Sequence, residues 1–477
     1  MTAVAYIAAL LAVAVVVWML IKKMDIKISL FLMGIVLMYV ALFMGKEISV
    51  EGFKTTGIKW LDPFQAVADQ FLGTLTSAGF IILILGGYTS YMSHIGANKV
   101  TVSVLSKPIM RIKSTYILVP ITFLLGNLLS LMIPSASNLS IILLATLFPI
   151  LRQAGMSTLS AGAVIATSAT IVPTPLGSDN VAVAGMLAKT SQFSGLTTSD
   201  YVFRYHALIS IPTLIVIAVV HYFWQKYLDK KAGGVSLEQI DIETAQEAAP
   251  EGGKLFRTVY ALLPLLPIFI LLAVFAGNAI TGSKVNLSVA LASILSFVVA
   301  VICELIRSRQ GQETLKGTDT FFTGMGGAMP IVALLVAASI FVAGLQSIGI
   351  IASLQEVMKS TNGSGMGFVL PLILVALTAL IVILSGSGTA LFFAMVPLMV
   401  PLAAAAGINV LAVSVPMGLA GNLLRAVSPV SAVIMIVSGS IKKSPMELVK
   451  RTSVPMVAGL VFMFVLSMVV FLPMGTA

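Results

Sequence analysis

The chain has 477 residues, 58% of them hydrophobic and 10% charged, with a net charge of +10. So few charges cannot cover the surface of a soluble protein of this length, and repeated apolar runs of about 20 residues match the core of a bilayer. A soluble enzyme is excluded. The chain reads as an all-α polytopic membrane protein whose basic excess sits in loops on one side of the membrane and does not mark a nucleic-acid surface.

Ten runs are long enough to cross: 3–21, 28–44, 71–93, 158–190, 207–224, 257–278, 286–305, 327–349, 408–438 and 453–473. The first lacks a basic leader and a small-residue cleavage site, so it reads as a retained helix and not a signal peptide. Two further runs, 116–152 and 367–403, are about twice the usual length and polar at their centres. With both treated as re-entrant hairpins and both termini periplasmic, 20 of the 28 Lys and Arg residues fall on the cytoplasmic side. The long loop 225–256 is basic at its start and acidic at its end, and reads as a cytoplasmic linker near mid-chain.

The two halves echo one another. "SHIGAN" at 93–98 resembles "QSIGII" at 346–351, and "SASNLS" at 135–140 resembles "SGSGTA" at 385–390. "AGMS" at 154–157 resembles "AGIN" at 406–409, and "PLGSDNVAVAG" at 175–185 resembles "PVSAVIMIVSG" at 429–439. The offsets are 253, 250, 252 and 254, and the charge-based topology gives the halves opposite orientation. That is an inverted-topology repeat, each half with five spanning helices and one hairpin, as secondary transporters have. The first repeat covers 1–224 and the second 257–477.

Each polar centre ends one half-helix and starts another. Free N–H groups at such a helix start, with hydroxyls and amides beside them, suit an anionic ligand. Ser135, Ser137, Asn138 and Ser140 occupy the first tip; Ser385, Ser387, Gly388 and Thr389 occupy the second. The competing reading is that these small residues only let helices pack closely. After each hairpin comes a broken crossing segment, 158–190 with Pro173, Pro175 and Gly177, and 408–438 with Pro429. Freed backbone there can hold a cation or substrate. Asp179 and Arg425 stand in these breaks, and a charge at membrane depth needs a partner or a task. Arg425 can grip a carboxylate in a bidentate fork. Asp179, with Ser178 and Asn180, can take a proton or a cation. Pairing of Asp179 with Arg425 is the alternative. Asn422 and Ser428 join the candidate substrate-binding set.

Cys303 is the only cysteine, and His94, His206 and His221 lack metal-ligand spacing, so no metal and no cofactor are expected. His94 and His206 are expected near the membrane boundaries, and His221 in an aromatic belt. No nucleotide-binding or nucleophile motif supports an enzyme.

"SHIGAN" (93–98), "ATLFPI" (145–150), "FWQKYLDKK" (223–231), "SPVSAV" (428–433) and "VKRTSVP" (449–455), in this order and spacing, resemble the anaerobic four-carbon dicarboxylate carriers of the Dcu type C family. The resemblance implies a bacterial inner-membrane carrier for fumarate, succinate, malate or aspartate, working by uptake, exchange or efflux. It implies a scaffold, a transport domain moving like an elevator, and a homodimer. Runs 71–190 and 327–438 are expected to form the transport domain. Sodium-coupled relatives carry Ser-Asn-Thr at both tips; here Ser137-Asn138-Leu139 and Ser387-Gly388-Thr389 are each incomplete, so the coupling ion, proton or sodium, stays open. Rival readings are a carrier for another small organic anion or amino acid, and an anion channel.

Overall fold

The computed structural model describes residues 2–475 apart from 23, 51–52, 108–111, 113, 134, 172, 233–252, 284, 351–366 and 387. Every regular element among the described residues is helical. The first half contains α1 (Thr2–Ile21), α2 (Ile26–Phe43), α3 (Asp62–Thr74), α4 (Phe80–His94), α5 (Ala97–Ser106), α6 (Thr115–Ser130), α7 (Ala136–Thr146), α8 (Phe148–Gln153), α9 (Thr158–Ala166), α10 (Ser178–Leu187), α11 (Thr198–Asp200) and α12 (Ala207–Lys231). The second contains α13 (Lys254–Leu262), α14 (Leu266–Thr281), α15 (Val289–Ser308), α16 (Gly311–Gly317), α17 (Asp319–Ser347), α18 (Val369–Ser385), α19 (Gly388–Ala406), α20 (Leu411–Arg425), α21 (Ala432–Ser440) and α22 (Pro445–Phe471).

Among the described residues, seven helical stretches are long and apolar enough to cross a membrane: Ile26–Phe43, Asp62–His94, Thr198–Lys231, Lys254–Thr281, Val289–Ser308, Gly311–Ser347 and Pro445–Met474. Two of them pass through wide π turns, Leu75–Gly79 and Tyr201–His206. Helices begin earlier than hydropathy alone suggests where a polar start is tied down. The run at 71–93 starts at Asp62, whose carboxylate accepts from the Thr56 amide at 2.8 Å and the Thr55 hydroxyl at 2.9 Å. Pro63 follows in the first turn, where its missing N–H costs nothing.

Both polar-centred runs bend as their composition requires. The first is α6, a turn at Leu131 and Met132, then α7 and α8; the second is α18, a turn at Gly386 and α19. Ser135 takes extended backbone angles and its hydroxyl accepts from the Asn138 amide, so it caps α7. Gly386 ends α18 with φ of 75°, and a Cβ there would lie 2.7 Å from the Val430 carbonyl oxygen. Only glycine fits that turn. The broken segments are α9–α10, interrupted at 167–177, and α20–α21, interrupted at 426–431.

Packing sorts the helices into two groups. α17 runs along α2 and α4, and α15 joins α4. In the other group α12 packs on α22 and α6, α22 on α9 and α20, α18 on α20, and α21 on α7. The groups meet where α19 lies against α17 and where α10 touches the π turn at 75–79. The linker starts later than expected: residues 225–231 continue α12, because Gln225 and Asp229 are buried against α9 and α22. Residues 233–252 of that linker lie outside the described residues, and its last three residues already belong to α13.

Candidate functional site

A cavity of about 110 Å³ opens between the two broken segments. The first break supplies Ala169, Thr170, Thr174, Gly177, Ser178 and Asp179; α20 supplies Gly418, Gly421, Asn422 and Arg425. Ser130, at the end of α6, and Phe392 and Phe393, on α19, complete the wall. The charged and amide groups come from helix ends because a break frees backbone and side chains at membrane depth, and such backbone is tolerated only where it lines a polar cavity or is buried in protein.

Asp179 and Arg425 share this cavity without pairing. The Arg425 Nη2 donates to the Ala169 carbonyl at 2.8 Å. Asp179 Oδ2 accepts from the Asn422 amide at 3.0 Å, and Oδ1 accepts from the Asn180 backbone N–H at 2.9 Å. Among the described residues no ion pair joins the two. A guanidinium has five N–H donors in a fixed fork, and a single hydrogen bond occupies it here. Each charge is thus oriented by a neutral neighbour, with capacity left for a ligand.

The break itself is held from behind by Asn127 on α6, which is 2% exposed. Its Oδ1 accepts from the Thr170 N–H at 3.1 Å and the Thr170 hydroxyl at 3.0 Å, and its Nδ2 donates to the Thr167 carbonyl at 3.3 Å. Asn180 donates from Nδ2 to the Thr174 carbonyl at 2.9 Å and closes the same turn from its other side. Each bend is also tied to the break that follows it. The Thr174 hydroxyl donates to the Leu131 carbonyl at 3.1 Å, and the Ser428 hydroxyl donates to the Ile383 carbonyl at 2.8 Å.

The expected residues therefore divide. Gly177, Ser178, Asp179, Asn422 and Arg425 line the cavity. Asn180, Ser428 and Ser135 are committed to holding the turns, and the Ser140 hydroxyl donates to the Ala136 carbonyl within α7. Ser137 is half-buried and Asn138 exposed, and neither lines this cavity. Pro173, Pro175 and Pro429 shape the breaks without lining it. Ser385 ends α18 and Gly388 begins α19. Ser387 and the Thr389 side chain lie outside the described residues. Sequence reading missed Ser130, Thr170, Thr174, Gly418, Gly421, Phe392 and Phe393, and also Asn127; an isolated Asn or Thr in an apolar helix gives no sign of which face it occupies.

One histidine is placed differently from expectation. His221 is fully buried, with Nε2 paired to the Thr167 hydroxyl and Nδ1 accepting from Gln225, each at 3.2 Å. It leaves the aromatic belt because α6, α9 and α22 enclose this face of α12. His206 is only 5% exposed, inside the second π turn. His94 is exposed.

Residues 5–472 match the family described as DcuC, C4-dicarboxylate anaerobic carrier. The chain belongs to this carrier family. It is 36% identical over 437 residues to the anaerobic C4-dicarboxylate transporter DcuC of Escherichia coli (strain K12), covering 91% of this chain and 90% of that one. It is 37% identical over 438 residues to a probable DcuC transporter of Vibrio cholerae, covering 91% of each. Its fold is similar to the YdaH transporter of Alcanivorax borkumensis, with a TM-score of 0.68 and 16% identity over 93% of this chain and 97% of that one. It is also similar to MtrF of Neisseria gonorrhoeae, with a TM-score of 0.59 and 14% identity over 93% and 95%. Family membership and the apolar helices make the protein a multi-pass transporter of the inner membrane, and not an enzyme.

Proposed function

We propose that the protein carries C4-dicarboxylates across the bacterial inner membrane, binding them in the cavity between the two breaks. One observation carries this reading: Arg425 and Asp179 line one cavity and do not neutralise each other. The guanidinium takes one substrate carboxylate in a bidentate fork, and Ser130, Thr170 and Thr174, whose hydroxyls are held by Asn127 and Leu131, shape the wall around the rest. Asp179 in its ionised form repels a dianion. Taking up a proton removes that repulsion, so substrate and proton bind together and Asp179 serves as the coupling group. Ser178 and Asn180 support it from the start of α10.

The moving unit comprises α6–α12 and α18–α22, and the scaffold comprises α1–α4 and α13–α17. This moves α4, α5 and α17 out of the transport domain drawn from the sequence and brings α11, α12 and α22 into it. The dense packing of α17 on α2 and α4, and of α12 and α22 on α6, α9 and α20, supports the division. A cleft of about 590 Å³ runs between the units, with Asp69, Gln70 and Ser77 on one wall and Gly185, Met186 and Lys189 on the other. Elevator-type alternating access would slide one wall past the other. The matching ties Thr174–Leu131 and Ser428–Ile383, at offsets of 254 and 252, support an inverted repeat. The ends bearing Lys22, Lys226, Arg307 and Lys450 face the cytoplasm, and both termini face the periplasm.

The test is counterflow in proteoliposomes with two- to six-carbon acids, with and without sodium and with a pH step. Saturable exchange peaking at four carbons, driven by the pH step and indifferent to sodium, is expected. Non-saturating flux that follows the anion gradient would replace the carrier with a channel.

A further inference from the structure

One buried titratable group beside the cavity has no task in this scheme. His206 is 5% exposed, and its Nδ1 has no hydrogen-bond partner. It closes the π turn Tyr201–His206, a wide turn of the kind found inside helices at functional sites. That turn packs against α10, which carries Asp179, and against α20, which carries Asn422 and Arg425. His206, Tyr201 and Arg425 all lie within electrostatic reach of Asp179. The Tyr201 ring stands edge-on to the imidazole, 6.2 Å between centroids.

The charge count shows what the cavity lacks. A dicarboxylate brings two negative charges and Arg425 supplies one positive charge. A protonated Asp179 adds none. The cavity lining holds no second cation. Around His206 the charged and titratable groups are few. α10 contributes Asp179 and α20 contributes Arg425; the turn itself carries Tyr201, Arg204 and Tyr205, and Asp200 of α11 pairs with Arg204 at 3.2 Å. α12 contributes none before His221, and α14, packed on α11, contributes none.

We propose that His206 is a second proton-binding site of the carrier, supplying the positive charge that balances the substrate's second carboxylate. This rests on the reading that Asp179 carries the coupling proton. As the dianion binds, one proton from the aqueous side forms an O–H bond on Asp179 and a second forms an N–H bond on His206 at Nδ1. The imidazole becomes imidazolium, and both protons are released with the substrate on the other side. Two protons with one dianion make the loaded step electroneutral.

The experiment is succinate uptake by the full-length protein in proteoliposomes, with a pH step and a potassium-diffusion potential imposed separately. The wild type is expected to respond to the pH step and not to voltage. His206→Gln is expected to take about one proton per succinate instead of two and to become voltage-sensitive. Its pH-driven uptake should fall at least about tenfold, and counterflow, which also needs the bound dianion balanced, should fall with it. His206→Gln that keeps two protons per succinate and stays voltage-insensitive overturns the role of His206 alone. A wild type indifferent to the pH step overturns the proton-coupled reading of Asp179 and this proposal with it. Should the variant fail to insert, ¹⁵N-histidine NMR of the unmutated protein in bilayers decides. Saturating succinate is expected to convert His206 to imidazolium near neutral pH, and an unchanged protonation state overturns the assignment.

Discussion

Two places in the molecule bury an aspartate near an arginine, and they are arranged in opposite ways. Between α9, α12 and α22, Arg451 donates to Asp229 at 2.6 Å, with their side chains 7% and 2% exposed. Ser157 and Ser160 donate to the same carboxylate at 2.8 and 3.0 Å, and Gln225 donates to the Arg451 carbonyl at 2.8 Å. Every strong group there is matched by another protein group. In the cavity, Asp179 and Arg425 are each steadied by a neutral partner and remain apart. A closed pair fastens helices. An open pair leaves charge for something that arrives and departs.

The largest effect should fall on the closed pair. Arg451→Met strands the Asp229 carboxylate, and removing one partner of a buried pair costs about 3–5 kcal/mol. Thermal unfolding in detergent should show a sharp loss, substantially restored by adding Asp229→Leu, while the folded fraction keeps its substrate KM. The open pair should respond in affinity instead of stability. Arg425→Ala should weaken succinate binding by at least about 30-fold, or about 2 kcal/mol, with near-normal melting. Asn127→Ala sits between the two cases. It leaves Thr170 without its acceptor, at about 1–3 kcal/mol, and should raise KM because the turn that orients Arg425 loosens; calorimetry together with transport kinetics would separate the terms. Ser135→Ala removes only the cap of α7 and should cost about 1 kcal/mol with little change in transport. A large transport loss from Ser135→Ala would shift weight toward the hairpin tip as the binding surface.

The contrast also shows what the sequence could reveal. Seven of the ten expected spans, the two bent runs and the two broken segments were legible because long charge-free stretches were interrupted by Pro, Gly and Ser; 3–21, 158–190 and 408–438 are not among the long apolar helices of the described residues. Asp179 and Arg425 stood out for the same reason, as charges inside such stretches. Asp229 and Arg451 did not, because each lies among other charged residues in "FWQKYLDKK" and "VKRTSVP", where exposure is the ordinary reading. Their burial depends on α12 meeting α22, a contact between residues more than 200 positions apart. Asn127 and His206 were hidden similarly: helical spacing tells that a residue lies on some face, not which neighbour covers it. At the first tip, the sequence suggests serines that both end a helix and face a ligand, and the Ser135 hydroxyl caps α7.

The most direct measurement is equilibrium binding of labelled succinate to purified wild-type protein and to Arg425→Ala, with folding verified by melting temperature. The cavity account predicts saturable binding in the wild type, weakened at least about 30-fold in a variant that still melts normally. Equal affinity in both proteins would contradict the account and move the substrate away from the space between the two breaks.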